Sequence, residues 1–179
     1  APRALTLSGV AAQSKTYDGT TAADISKFHA TLNNVVSGEE SLVTATATGA
    51  TYNSKDVRAA NTVNYTGVAL GGTGAGNYTL AASTAQGAGS ITAKQLNLAL
   101  TSGARFDKTY DGNANVTQTL TKGTNYSLTG FIGTEGDHLA LASATGTYAA
   151  GKDAAVNKGV TFDGLTLTGT GAANYVLDK

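Results

Sequence analysis

Lys15-Thr16-Tyr17-Asp18-Gly19-Thr20 returns later in the chain as Lys108-Thr109-Tyr110-Asp111-Gly112-Asn113. The residues around these two hexapeptides repeat with them. Leu5-Thr6-Leu7-Ser8 matches Leu98-Ala99-Leu100-Thr101 at the same spacing of 93 (17 to 110). Downstream, Gly49-Ala50-Thr51-Tyr52 with Lys55-Asp56 returns as Gly146-Thr147-Tyr148 with Lys152-Asp153. Gly74-Ala75-Gly76-Asn77-Tyr78-Thr79-Leu80 then returns as Gly171-Ala172-Ala173-Asn174-Tyr175-Val176-Leu177, where the spacing has grown to 97 (77 to 174). Four blocks in one order identify an internal duplication, and the drift is what loop insertions in one copy produce. The sequence predicts two modules, residues 1–95 and 96–179.

The second copy is the shorter in content. After Leu80 the first runs on through Ser90-Ile91-Thr92-Ala93-Lys94-Gln95-Leu96, whereas the second reaches only Lys179. We expect its closing strand to be missing or supplied by a following repeat, and the chain to be a piece of a longer tandem array.

Composition narrows the class. The 179 residues carry 12 Lys+Arg against 12 Asp+Glu, with no Cys, Met or Trp, one Pro and 23 Gly. A neutral chain offers no electrostatic grip on nucleic acid or an anionic membrane, which need clustered Lys/Arg. No apolar run approaches the roughly 18 residues of a membrane span. No basic-then-apolar leader opens the chain, so the expectation is a processed or internal segment. Without cysteine there are no disulfides, thiolate nucleophiles or Cys-ligated zinc sites.

Charged residues are only 13% of the chain, about half the roughly 25% usual in soluble domains. Helix formers are scarce while Thr, Ala, Gly, Asn and Ser abound, which points to an all-β fold. Leu5 and Leu7, and Leu98 and Leu100, alternate with polar neighbours; Leu42 to Thr48 and Gly159 to Gly169 alternate too. Asp163-Gly164 reads as a hairpin turn. Only Ala22 to Asn33 suggests helix, at most one or two turns per module. Each module is therefore expected to be a small antiparallel or partly mixed β-domain, either a sandwich or a curled sheet.

The junction is informative. Ser90 to Thr101 lacks Gly and Pro, and its apolar positions switch from odd (Ile91, Ala93) to even (Leu96, Leu98, Leu100). Because strand side chains alternate faces, opposite faces are buried on the two sides of Lys94-Gln95. One extended segment should close the first module and open the second. A stiff joint, and modules set end to end as an elongated rod, follow as expectations.

The candidate motif residues are Lys15, Tyr17, Asp18 and Gly19, with Lys108, Tyr110, Asp111 and Gly112 in the second copy. Recurrence at matching places favours a structural role: Tyr on the core edge, Asp capping a turn, Gly supplying a positive φ. Asn77-Tyr78 and Asn174-Tyr175 read likewise, with Asn satisfying a turn and Tyr opening a strand.

Other residues carry weaker signals. The Gly71–Gly76 run lacks the lysine and the strand–turn–helix context of a phosphate loop. His29 and His138 occupy different parts of their repeats and read as surface or edge residues. Glu39-Glu40 and Glu135 with Asp137 resemble a carboxylate pair or a calcium ligand set, but no Asp-rich loop surrounds them and a solvated acidic turn fits better. Sequons at Asn64, Asn77, Asn115 and Asn125 are near chance for an Asn/Thr-rich chain, and a Lys–Asn or Lys–Asp isopeptide bond would need a pair buried together, which sequence alone does not show. No catalytic, cofactor or metal-binding residue is predicted.

The two Lys-x-Tyr-Asp-Gly-Thr/Asn motifs, the Gly38-Glu39 and Gly136-Asp137 turns, the Gly-x-Tyr with Lys-Asp, and the late Gly-x-x-Asn-Tyr-x-Leu resemble the YDG repeats of bacterial filamentous-haemagglutinin-like adhesins. Ile91-Thr92-Ala93-Lys94-Gln95-Leu96 looks like the strand that ends each such repeat, where members often carry Pro at the position of Ala93. The resemblance implies a large secreted, surface-displayed protein of a Gram-negative bacterium, exported by a two-partner or similar system. It implies roles in attachment, aggregation or biofilm, with these repeats as a stalk. The partners then expected are neighbouring repeats of the same polypeptide in a monomeric chain. The alternative is a carbohydrate-binding module for exopolysaccharide or host glycan.

Overall fold

The structure, a computed structural model, describes residues 1–178. The chain divides into two units, Ala1–Thr92 and Ala93–Lys179. Both are built of strands and short 3-10 turns, with no α-helix among the described residues. The chain is all-β.

The first unit contains β1 (Arg3–Ser8), β2 (Gln13–Thr16), β3 (Thr31–Asn33), β4 (Thr44–Thr46), β5 (Gly49–Tyr52), β6 (Thr62–Thr66), β7 (Ala69–Gly71), β8 (Tyr78–Leu80) and β9 (Thr84–Thr92). They form a three-stranded sheet β3-β1-β8, a four-stranded sheet β2-β9-β6-β5 and the pair β4-β7. β1 runs parallel to β8, and β2 parallel to β9; the other pairings are antiparallel. The sheets are therefore mixed, which no local sequence pattern specifies, because a parallel pair needs a long crossover.

The four-stranded sheet curls. Its two edge strands are β2 and β5, and six residues after β2 ends the chain bridges the free side of β5 at Ala22–Thr51. The Tyr52 N–H donates to Thr21 O at 2.7 Å and the Ala23 N–H to Ala50 O at 3.3 Å. The Tyr17–Ala22 segment thus carries the chain from one edge of the sheet to the other. Tyr17, Tyr52, Val63, Tyr65 and Ile91 are buried here. A second core, Leu5, Val43 and Tyr78 with Leu32, Val35, Leu70 and Leu80 packed around them, lies under the three-stranded sheet. Burying each such aliphatic side chain is worth about 1.5–3 kcal/mol.

The second unit contains β10 (Lys94–Leu100), β11 (Tyr126–Thr129), β12 (Leu139–Leu141), β13 (Thr145–Tyr148), β14 (Val160–Asp163), β15 (Leu167–Gly169) and β16 (Tyr175–Leu177). The sheet β11-β10-β16 reproduces β3-β1-β8, including its parallel pair, and β12-β15 reproduces β4-β7. Its core is Tyr126, Leu128 and Leu141, ringed by Leu98, Leu120, Phe131, Leu165, Leu167 and Leu177. Only β13-β14 stands where the first unit has four strands.

Side-chain parity changes as expected. Gly87 and Ile91 are the buried positions of β9, and Leu96 that of β10, with Ala93 alone between the two strands.

Four readings of the sequence need correcting. Leu5 pairs with Leu80 and Leu96 with Leu177, while Leu7 pairs with Leu32 and Leu98 with Leu128. Leu5-x-Leu7 therefore corresponds to Leu96-x-Leu98, two residues earlier than the motif spacing suggests. The run Leu96-Asn97-Leu98-Ala99-Leu100 satisfies both alignments, and the partner strand selects between them. Asp163-Gly164 makes a turn with Gly164 at φ 70°, yet β14 pairs with β13 and β15 with β12, so it links two sheets and not a hairpin. Leu42 to Thr48 is a 3-10 turn (Glu40–Leu42) followed by a strand of only three residues. The helical content of the first unit is three 3-10 turns, Ile25–Lys27, Glu40–Leu42 and Ala75–Asn77. Asp24 caps the first, its Oδ1 accepting from the Ser26 N–H and hydroxyl.

Candidate functional site

Asp18 makes an Asx turn: its Oδ1 accepts from the Thr20 N–H at 2.9 Å and the Thr20 hydroxyl at 2.9 Å. Such a turn needs a residue free to take positive φ, and Gly19 sits at 78°. Lys15, at the end of β2, folds back over the turn. Its Nζ donates to Asp18 Oδ1 at 2.7 Å, Thr20 O at 2.9 Å and Ala22 O at 2.9 Å, and lies 5.4 Å from the centre of the Tyr52 ring on β5. Two carbonyls that carry no ladder bond at the mouth of the sheet thereby gain a donor. A single side chain ties the turn to both edges of the curled sheet.

The second unit builds the same device. Lys108 Nζ donates to Asp111 Oδ1 at 2.6 Å, Asn113 O at 2.8 Å and Asn113 Oδ1 at 2.9 Å, and lies 5.6 Å from the Tyr148 ring. Gly112 has φ 80°. Asn113 replaces Thr20, its side-chain oxygen standing in for the hydroxyl.

The carboxylates respond to these neighbours. Burial pushes Asp18 up, but the Lys15 ammonium and the Thr20 N–H and hydroxyl outweigh it and hold the group below the ordinary carboxylate range. The Lys108 hydrogen bond, followed by the Asn113 N–H, does the same for Asp111. The ammonium protons point at acceptors inside the turn, so the pair serves the fold and not proton transfer.

Tyr17 and Tyr110 part company. Tyr17 is 1% exposed, with Lys55 Nζ 5.9 Å from its ring centre, whereas Tyr110 is 58% exposed with Lys152 at 6.0 Å. The expectation that both pack on the core edge holds for Tyr17 alone.

The Asn-Tyr motifs form a second repeated device. Asn77 closes a 3-10 turn, its N–H donating to Gly74 O at 3.0 Å, and Tyr78 opens β8; Asn174 and Tyr175 do likewise on Gly171 O at 2.9 Å and β16. The Tyr78 hydroxyl donates to Glu39 Oε2 at 2.6 Å and accepts from the Val36 N–H at 3.1 Å. Tyr175 repeats both bonds at the same lengths, to Glu135 and Ile132. Hydrogen bonding to Glu39, with burial second, pushes the Tyr78 phenol above its ordinary value. Glu39 and Glu135 are thus clasp acceptors and not merely solvated turn residues. The signal was present in the sequence, since Glu39 and Glu135 recur at nearly the same spacing as Tyr78 and Tyr175. Glu135 also displaces the expected correspondence of Gly38-Glu39 with Gly136-Asp137.

One buried pair differs between the units. Gln13 Nε2 donates to the Tyr65 hydroxyl at 2.5 Å and to Asp24 O at 2.9 Å. Phe106 and Phe162 occupy the matching places, their rings 4.9 Å apart and edge to face. A polar pair has been exchanged whole for an apolar one. His29 and His138 are exposed. Among the described residues no three His, Cys, Asp or Glu converge as a metal site, and no helix is long and apolar enough to cross a membrane.

A family model described as the YDG domain matches residues 1–86 and again residues 92–179. No curated protein and no solved structure matches the chain. The chain belongs to the YDG-domain family, in two copies.

Proposed function

We propose that this pair of YDG domains is a structural spacer in a large secreted surface adhesin of a Gram-negative bacterium, of the filamentous-haemagglutinin-like type, that serves attachment, aggregation or biofilm. The observation that carries the reading is the connection: β9 ends at Thr92, β10 starts at Lys94, and only Ala93 lies between. A spacer has to transmit position along the polypeptide, and this reading requires the one-residue link to act as a joint stiffer than a Gly/Ser tether. The repeated motifs agree with this, because the lysine-capped turns and tyrosine–glutamate clasps hold strands together within each domain. The polypeptide's own neighbouring repeats are then its partners, and its place is outside the cell.

Binding of exopolysaccharide or host glycan is the competing reading, and it calls for exposed aromatic platforms. Of the eight tyrosines six are buried and Tyr148 is half-buried, which leaves Tyr110 as the exposed one. A glycan array probed with the purified chain separates the two. The spacer reading expects no selective retention; retention lost on Tyr110→Ala would establish the binding module instead.

A further inference from the structure

The first and last strands of the first unit are each held by a parallel partner. β1 runs parallel to β8, with Arg3 opposite Tyr78, Ala4 opposite Thr79 and Leu5 opposite Leu80. The Ala81 N–H extends that ladder, donating to Leu5 O at 3.1 Å. β9 runs parallel to β2, from Gln13 opposite Gly89 to Thr16 opposite Thr92. There the Tyr17 N–H donates to Thr92 O at 2.8 Å, and the Thr92 hydroxyl to Lys15 O at 3.3 Å. The chain itself cross-connects the two ladders. Residues 9–12 lead from β1 into β2, and residues 81–83 lead from β8 into β9.

Strand direction decides what tension does to such ladders. A pull on the unit draws β1 by its first residue and β9 by its last. β2, tied back to β1, is drawn by its first residue; β8, tied onward to β9, by its last. In each parallel pair the strands are thus dragged past one another along their axes, and all the hydrogen bonds of the ladder are strained together. An antiparallel pair drawn by neighbouring ends gives way one bond at a time. Tension has two routes through the unit, β1 to β2 to β9 and β1 to β8 to β9, and each crosses one parallel ladder. Extension requires both to fail. It also withdraws Leu5 and Ile91, which are buried on the two strands where the pull enters.

We propose that the first unit bears tension along the polypeptide, with β1–β8 and β2–β9 as two shear joints acting side by side. Parallel pairing needs long connections and is slightly less stable per residue than antiparallel pairing, so stability at rest gives no reason for it at both ends of the unit, whereas resistance to a pull does. The second unit repeats the first joint: β10 runs parallel to β16 with Leu96 opposite Leu177, and the Asp178 N–H donates to Leu96 O at 2.9 Å. The proposal concerns a single domain and stands apart from the spacer reading.

The test varies the direction of pulling. The chain has no cysteine, so two introduced thiols define where force is applied. The full chain carries Ala1→Cys with Ala93→Cys in one version and Arg58→Cys with Ala93→Cys in another, each stretched in an optical trap. Arg58 is exposed and precedes β6, so the second version draws the antiparallel β6 and β9 apart by neighbouring ends. Urea unfolding should give both versions one midpoint, which leaves direction as the difference between them. Forced opening is governed by the unfolding rate. From residue 1 the unit should open in one event that releases about 300 Å of chain. At the same force, opening from residue 58 should be at least about 100-fold faster, the equivalent of two or more ladder bonds broken in turn and not together. Equal rates along the two directions, or stepwise release of short lengths from residue 1, would overturn the proposal.

Discussion

Tyr78 on β8 and Glu39, ahead of β4, are joined by a 2.6 Å hydrogen bond that Tyr175 and Glu135 reproduce at the same length in the second unit. The residues stand far apart in sequence and bring the end of each domain back onto its middle. Hydrogen bonds to a charged acceptor contribute about 1.5–3 kcal/mol. Tyr78→Phe removes the bond and leaves the Val36 N–H without its acceptor. It should lower the melting temperature of the first unit by roughly 6–24 °C for a domain of this size, as read by calorimetry, with the second unit's transition unmoved.

The lysine caps give a local prediction. Lys15→Met keeps the aliphatic stem beside Tyr52 but withdraws donors from Asp18, Thr20 O and Ala22 O. The acceptors are open to water, so the expected loss is about 0.5–1.5 kcal/mol. Hydrogen exchange should quicken first at Thr21–Ala23 and at Ala50–Tyr52, where the chain bridges the sheet. Exchange that quickens uniformly over the unit would mean that Lys15 is not a clamp of that bridge.

Gln13 and Tyr65 should behave as a unit. Tyr65→Phe leaves one Gln13 N–H without its acceptor in a buried site, at a cost of about 1–3 kcal/mol, while the bonds of that amide to the Asp24 backbone remain. The double change Gln13→Phe with Tyr65→Phe installs the pair found at Phe106 and Phe162. It should recover much of the loss, giving a coupling energy of about 0.5–3 kcal/mol in a double-mutant cycle from urea unfolding.

The same pairs set the pH profile. Asp18 and Asp111 are held below their ordinary value in the folded chain, so folding favours the ionised form. Their contribution is complete above the unfolded value of about 3.9 and drains away as the pH falls through it toward the lower native values. Tyr78 is held above its ordinary value, so its contribution is complete below about 10 and is lost as the pH climbs through the native value. Melting temperature should be level near neutrality and fall at both ends. Lys15→Met with Lys108→Met should blunt the acid fall, and Tyr78→Phe the alkaline one.

Much of this was legible in the sequence, for particular reasons. Local devices read well: the Asp-Gly turns, the Asn-Tyr strand starts and the parity switch around Ala93 follow from chemistry within a few residues. Long-range partnerships did not. Nothing near Lys15 announces that its ammonium rests over Tyr52, or that Glu39 answers Tyr78. Parallel pairing of β1 with β8 and of β2 with β9 is likewise settled by packing, because an isolated strand pattern is indifferent to direction. Aligning the copies would have exposed the exchange of Gln13 and Tyr65 for Phe106 and Phe162.

Small-angle scattering of the two-unit chain, measured beside each unit alone, tests the spacer reading most directly. The account predicts a maximum dimension close to the two single-unit dimensions combined, unchanged between low and high salt. A compact particle, or a broad spread of sizes, would contradict it.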